Sequence, residues 1–239
     1  MLVFIFGFAG GNAQAEAADF NNSQKSAIEK IIHDYLIKNP EVLIEAMSEL
    51  DAKQAAANKK QQDAVITNGH KQIFNDPTSY VAGNPKGDVT VVEFFDYNCG
   101  YCKRAFAPLM NVVKDDGNVR LVLKEFPILG PNSVIATKAA MAAKKQGKYF
   151  DMHKALLLHK GSLDEASIMG LAKAVGIDPE KLRRDMNDPA IQNTIDNDEK
   201  LAKEIGITGT PSFIIGGKLY PGAMNEDGFK AAIKAARKG

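Results

Sequence analysis

Large apolar residues recur at three- and four-residue steps from Ile28 to Leu50. Ile28, Ile31, Ile32, Tyr35 and Leu36 share one helical face, and Leu43, Met47 and Leu50 continue the stripe beyond Asn39-Pro40. That Asn-Pro pair is a stop for one helix and a start for the next. From Asp51 to Asp63 the chain is mostly Ala, Lys, Gln and Asp, strong helix formers with almost no large apolar side chain. The pattern predicts helix from Ser23 to about Phe74, with an exposed or flexible linker as its second part, lying outside the domain that follows.

The period then changes. Val89 to Phe95 is a β-branched and aromatic run, a buried strand by composition, introduced by the turn-rich residues 83–88. Phe106, Leu109, Met110 and Val113 return to helical spacing, with Pro108 expected to kink that helix. Val119 to Glu125 reads as the next strand, ended by Phe126-Pro127 and Gly130-Pro131. A long helical region follows. Helices are expected over 133–146 and 148–159, separated by Gly147. Ser162 with Glu165 has capping-box spacing, and Gly176 closes the helix it opens. Asp178-Pro179 and Asp188-Pro189 open two more, the last ending before Gly206. Ser212 to Ile215 reads as a strand, Gly216-Gly217 as a tight hairpin turn into residues 218–220, and Glu226 to Lys238 as a final helix.

Composition narrows the possible tasks. The 239 residues carry a formal net charge of +1, with acidic and basic residues interspersed, which argues against nucleic-acid binding. Leu2 to Ala9 is a short apolar run and Ala13-Gln14-Ala15 a small-residue cleavage pattern, so residues 1–15 are expected to be a secretory signal peptide leading to the periplasm. No Lys or Arg precedes the run, a departure from the usual leader. The remainder suffices for one sizeable core with an appendage.

Cys99 and Cys102 are the only cysteines, so a framework of several disulfides is impossible. They stand at the junction of the Val89–Phe95 strand and the helix after it. A thiol there meets unpaired backbone N–H groups and the positive end of the helix dipole, which favour the thiolate, the nucleophile of disulfide exchange. Cys99 would attack, and Cys102, one turn deeper, would resolve the mixed disulfide. A zinc site would need two further ligands, and no second cysteine pair exists. His33, His70, His153 and His159 lack the spacing for one and read as surface or packing residues.

The segment from Val92 to Cys102 (Val-Glu-Phe-Phe-Asp-Tyr-Asn-Cys-Gly-Tyr-Cys) resembles the active-site region of DsbA-like thiol–disulfide oxidoreductases. A second mark, Gly209-Thr210-Pro211-Ser212-Phe213, resembles that family's cis-proline loop. The resemblance covers residues from about Tyr80 to the C-terminus. It implies an α/β chain with a thioredoxin-like fold, an inserted helical domain at about 131–206, and here an N-terminal helical extension. It further implies that Pro211 is cis and faces the dithiol, that Thr210 offers backbone groups to a substrate polypeptide, and that Glu93 moves the proton of Cys102. Gly100 and Tyr101 would then contact substrate. Gly100-Tyr101 and Thr210 depart from the strongly oxidising members, which carry Pro-His and Val, and resemble the isomerase DsbC. A less oxidising dithiol with isomerase activity is therefore expected. No cofactor is implied.

The domain organisation expected is a leader at 1–15, a helical oligomerisation region and linker at 16–75, and a DsbA-like domain at 76–239. The amphipathic N-terminal helices must bury their stripes, and self-association into a dimer or trimer does so. Such an arrangement resembles the N-terminally extended, ScsC-like members of the family. Partners implied are thiol- or disulfide-containing exported proteins and a membrane redox protein that resets the dithiol. Three alternatives stay open: a monomeric DsbA-like oxidase, a Cu(I)-binding protein using the two soft thiolates, and a chaperone.

Overall fold

The computed structural model describes residues 20–238; the apolar leader and its cleavage pattern lie outside the described residues. Helix α1 (Asn22–Lys38) starts at a capping box, in which Asn21 and Gln24 satisfy each other's backbone N–H groups. Asn39 caps its end, and α2 (Glu41–Asn68) begins directly after Pro40, as the Asn-Pro pair predicts. The short α3 (His70–Phe74) follows. The chain divides into two compact units between Ala56 and Ala57. In the first, α1 buries no residue. Ile31, Ile37, Ile44, Met47 and Leu50 are all exposed, so within this unit the apolar stripe finds no cover among the described residues.

The second unit is built on a five-stranded sheet: β1 (Tyr80–Gly83), β2 (Val89–Phe95), then, after α4 (Gly100–Asp116), β3 (Val119–Glu125), and finally the hairpin β4 (Ser212–Ile215) and β5 (Lys218–Pro221). The strand order is β1-β3-β2-β4-β5. β2 and β3 pair in parallel, and the α4 crossover supplies the connection that parallel pairing requires. β4 runs antiparallel to β2, with Glu93 opposite Phe213 and Phe94 opposite Ser212. Gly216 and Gly217 both have positive φ, as a two-residue hairpin demands. β1 was not legible in the sequence, because four residues ending in glycine leave no alternation to read.

Between β3 and β4 lies the helical insert: α5 (Pro131–Ala143), a 3₁₀ turn (Lys144–Gln146), α6 (Tyr149–Leu158), α7 (Glu165–Ala174), α8 (Pro179–Asp185) and α9 (Pro189–Ile205). Asp178 and Asp188 cap the last two, each followed by Pro, and Gly206 closes α9 in the left-handed conformation. The capping box expected of Ser162 and Glu165 is not made. Asp164 caps α7 instead, accepting from the Ser167 backbone N–H at 2.8 Å, because a carboxylate directly before the first turn reaches the orphan donors. Pro108 does not end α4, which continues to Asp116. α10 (Glu226–Ala236) closes the chain.

β2 is buried on both faces. Val91 and Phe95 join a large core with α4, the insert and α10. Val92 and Phe94 face a smaller core that holds Ile66, Ile73, Phe74 and the α9 residues Leu201 and Ile205. Residues 57–75 therefore contribute to the sheet's second core, although their sequence reads as lying outside this domain. Ile66, Ile73 and Phe74 are too few to show a stripe, and the sheet face and α9 give them their partners. Among the described residues, no helix is long and apolar enough to cross a membrane.

Candidate active site

The site forms where β2 ends. Asp96 is wholly buried. Its Oδ1 accepts from the Asn98 backbone N–H and the Ser133 hydroxyl, each at 2.7 Å, and its Oδ2 from the Leu129 N–H at 2.9 Å. The Asp96 carbonyl also accepts from the Cys99 N–H at 3.1 Å. This Asx turn redirects the chain from strand to helix and sets Cys99 at the N-cap of α4. Its residue types are visible in the sequence, but their long-range partners are not.

Cys99 and Cys102 are both free cysteines, with Cys99 5% exposed and Cys102 fully buried. The Cys102 backbone N–H donates to Cys99 Sγ at 3.3 Å. The Cys102 thiol is the strongest influence on Cys99. Together with the Thr210 hydroxyl and the N–H groups of Cys102 and Tyr101, it outweighs burial and brings the Cys99 thiol down to about 5. The Thr210 carbonyl lies 3.1 Å from Sγ and accepts from the thiol form. Cys102 behaves in the opposite way. Burial drives its pKa far up, and its hydrogen bond to Cys99 pushes in the same direction.

Glu93 lies in the middle of β2, 2% exposed. It alternates in phase with Val91 and Phe95 and so faces the core that contains both cysteines. Burial, and then the Cys99 charge, push its carboxyl up to about 8. Its charge in turn raises Cys102, so the acid and the deeper sulfur are electrostatically linked.

The Thr210–Pro211 peptide is cis, and Thr210 lies directly against Cys99. A groove of about 890 Å³ runs past Tyr101, Arg104, Thr210, Pro211, Leu219 and Met224. Tyr101 is 61% exposed, so it stands out from the dithiol rather than packing under it. The structure thus brings together Cys99, Cys102, Glu93, Gly100, Tyr101, Thr210 and Pro211.

Two further features escape the sequence. Arg104 places its guanidinium carbon 4.2 Å from the centroid of the Tyr101 ring. Behind the turn lies a closed polar cluster centred on Glu125. Its carboxylate accepts from Tyr149 at 2.7 Å, Thr137 at 3.1 Å and Tyr97 at 3.3 Å. Tyr97 also meets His153 Nδ1 at 3.0 Å. Burial pushes Glu125 up to about 8 and His153 down to about 3, so His153 is a neutral packing residue. A lone Glu, His and two Tyr spread over 57 residues of sequence carry no spacing signal that unites them. No group of three or more metal-ligating residues occurs among the described residues.

Residues 90–234 match the family described as DSBA-like thioredoxin domain, and residues 24–57 the Copper resistance protein ScsC N-terminal domain. A thioredoxin-like oxidoreductase from Silicibacter pomeroyi is 47% identical, covering 71% of this chain and 98% of that one, with a TM-score of 0.69. A linker-deletion variant of Proteus mirabilis ScsC is 27% identical, covering 93% of this chain and 99% of that one, at a TM-score of 0.70. The thiol-disulfide exchange protein alpha-DsbA2 from Wolbachia pipientis is 33% identical over 75% of this chain and 97% of its own, at 0.69. Among curated relatives, a Na(+)/H(+) antiporter of Salinispora arenicola is 32% identical over 159 residues, 66% of this chain. The chain spans only 24% of that antiporter's length.

Proposed function

The chain belongs to the DSBA-like thioredoxin-domain family and is a thiol–disulfide oxidoreductase, and from that premise we propose that Cys99 is its nucleophile, Cys102 its resolving thiol and Glu93 the group that moves the Cys102 proton. The observation that carries this reading is the split between the two sulfurs: Cys99 held down at about 5, Cys102 pushed far up.

The Cys99 thiolate attacks one sulfur of a substrate disulfide. A Cys99–substrate disulfide forms, and the other substrate sulfur leaves as a thiolate. Two outcomes follow. Cys102 gives its proton to ionised Glu93 and attacks Cys99 Sγ; the Cys99–Cys102 disulfide forms, the substrate leaves as a dithiol, and the substrate has been reduced. Run backwards, with protonated Glu93 returning the proton, the same steps oxidise a dithiol. Alternatively, another substrate thiolate attacks the substrate sulfur of the mixed disulfide and releases Cys99 as a thiolate, with no net change of oxidation state. That is isomerisation. A carboxyl at about 8 exchanges protons in either direction near neutral pH. Thr210 and Pro211 form the edge along which an extended polypeptide lies, with Gly100 and Tyr101 beside it.

Isomerase activity is the favoured balance. Gly100-Tyr101 puts no cationic side chain between the cysteines, so the thiolate lacks that stabilisation. The uncovered apolar stripe of α1 and α2 supports self-association of several chains, which gathers dithiols around one misfolded substrate. In this reading residues 1–15 direct export to the periplasm, residues 16–75 form the oligomerisation region and a linker whose last part, 57–75, packs on the sheet's second core, and residues 76–239 carry the exchange site. A membrane redox protein restores the dithiol between turnovers. Refolding of scrambled ribonuclease tests the balance: the protein restores activity, and recovery no better than with Cys99→Ser overturns the isomerase assignment.

A second reading draws on the match of residues 24–57 to a copper-resistance domain and on the two soft sulfurs. In it Cu(I) is cargo held by Cys99 and Cys102. A tight one-to-one Cu(I) complex without insulin reductase activity would favour it.

A further inference from the structure

We propose that Arg104 is a specificity residue of the exchange site, selecting polypeptides that carry a carboxylate one or two residues from the cysteine being exchanged. This rests on the reading of Cys99 as the nucleophile and of the adjoining groove as the substrate's seat.

Among the described residues lining that groove, Arg104 is the only charged side chain, and the walls include Pro108, Ile207, Leu219 and Met224. An apolar groove with one cation presents one electrostatic instruction to an incoming chain. The guanidinium is also held in place. It stacks on the Tyr101 ring at 4.2 Å, and a Cβ built on Gly100 would lie 3.6 Å from Arg104 Nη1, so the group sits over the dipeptide between the cysteines. A pre-positioned planar fork loses less side-chain freedom on gripping a carboxylate than a free lysine would.

Its charge is not committed elsewhere. Arg104 is exposed and takes part in none of the ion pairs found among the described residues, whereas its neighbour Lys103 donates to the His159 carbonyl at 2.8 Å. Nor does Arg104 serve the nucleophile directly, since the hydrogen bonds to Cys99 come from Cys102, Tyr101 and Thr210. An extended polypeptide advances about 3.3 Å per residue. With its cysteine sulfur at Cys99, the side chains one or two positions along pass the Gly100–Tyr101 peptide, where the guanidinium stands.

The test uses three short peptides that differ only in having Glu, Gln or Lys on both sides of one cysteine, each activated as a thiopyridyl disulfide. The Cys99 thiolate attacks the peptide sulfur and releases thiopyridone, which is followed by absorbance. Rates are normalised to those with 2-mercaptoethanol, a neutral thiol, to remove each peptide's own reactivity. The expected second-order rate constant of this single turnover is about fivefold higher for the Glu peptide than for the Lys peptide, with Gln between, as suits one exposed ion pair. The ratio collapses in roughly 1 M salt, where screening acts within ~3 Å. Arg104→Gln brings the Glu and Lys rates together and Arg104→Glu reverses their order. Equal normalised rates in the unaltered protein, with Cys99-dependent release intact, overturn the role of Arg104 and leave the exchange mechanism standing. No Cys99-dependent release from any peptide overturns the exchange mechanism, and this inference with it.

Discussion

Cys99 Sγ lies 3.1 Å from the carbonyl oxygen of Thr210, although 111 positions of sequence separate them. The β2–β4 pairing closes that distance: Phe94 stands opposite Ser212, so the residues just beyond each strand end at the same edge of the sheet. In the proposed exchange, a substrate polypeptide joined to Cys99 would have the Thr210–Pro211 backbone beside it.

Cys99 should react as a thiolate well below neutral pH. Its alkylation rate by iodoacetamide is expected to rise with pH through a midpoint of about 5 and then level off. A free cysteine would keep gaining rate up to about 8.5. Cys102, fully buried and far less acidic, should stay unmodified until the protein is denatured. Mass spectrometry of the labelled peptide distinguishes the two sulfurs, and a Cys99 midpoint near 8.5 would contradict the assignment.

Glu93 should be visible in the pH dependence of stability. Its folded pKa, about 8, lies above the ordinary 4.5, so the folded state holds a proton that the unfolded state releases. The stability due to neutral Glu93 is complete below about 4.5 and is lost as pH rises through 8. Each such proton contributes a slope of ~1.4 kcal/mol per pH unit in that window. Glu93→Gln should remove one proton's worth of slope, while Glu125, also about 8, retains its own. Urea midpoints at several pH values between 5 and 8 measure this. If Glu93 also moves the Cys102 proton, the variant should accumulate the mixed disulfide, with resolution slowed by at least about tenfold.

Lys124 should be essential to stability though it is remote from exchange chemistry. It is fully buried and bridges Asp198 at 2.8 Å and Asp76 at 2.7 Å, tying β3 to α9 and to the segment after α3. Burial raises Asp198 to about 6 even with Lys124 beside it. Lys124→Met would leave that carboxylate buried without its cation, at a cost of about 3–5 kcal/mol near neutral pH. The cost should shrink as the pH falls, because Asp198, without the cation that holds its pKa down to about 6, takes up a proton more readily in the variant. Denaturant unfolding at pH 7.5 and pH 5 compares the two.

The exposed stripe of the first unit predicts its own test. Ile31 and Ile44 are 68% and 71% exposed. Ile31→Glu combined with Ile44→Glu in the full chain should reduce the particle mass seen by light scattering to that of one chain. Isomerase activity should fall with it, while the alkylation profile of Cys99 stays as before. An unchanged mass would remove these helices from any role in self-association.

Local signals decided most of the elements. The Val89–Phe95 run, the Asp-Pro starts of α8 and α9 and the glycine pair of the hairpin each act through nearest-neighbour sterics and capping, so their residues announce them. The dithiol and the proline loop were legible for the same reason: each is a contiguous motif with its own chemistry. The capping of α7 by Asp164 and the membership of Ile66, Ile73 and Phe74 in the sheet's second core were not, because several local solutions were available and packing chose among them. Only the tertiary structure set Thr210 against Cys99, gathered Glu125, Tyr97, Tyr149 and His153 into one buried cluster, and left Arg104 as the lone charge of an apolar groove. The acidity of a thiol and the reach of a cation depend on which groups surround them through space. That neighbourhood is made by strand pairing and burial, which a linear order of residues does not contain.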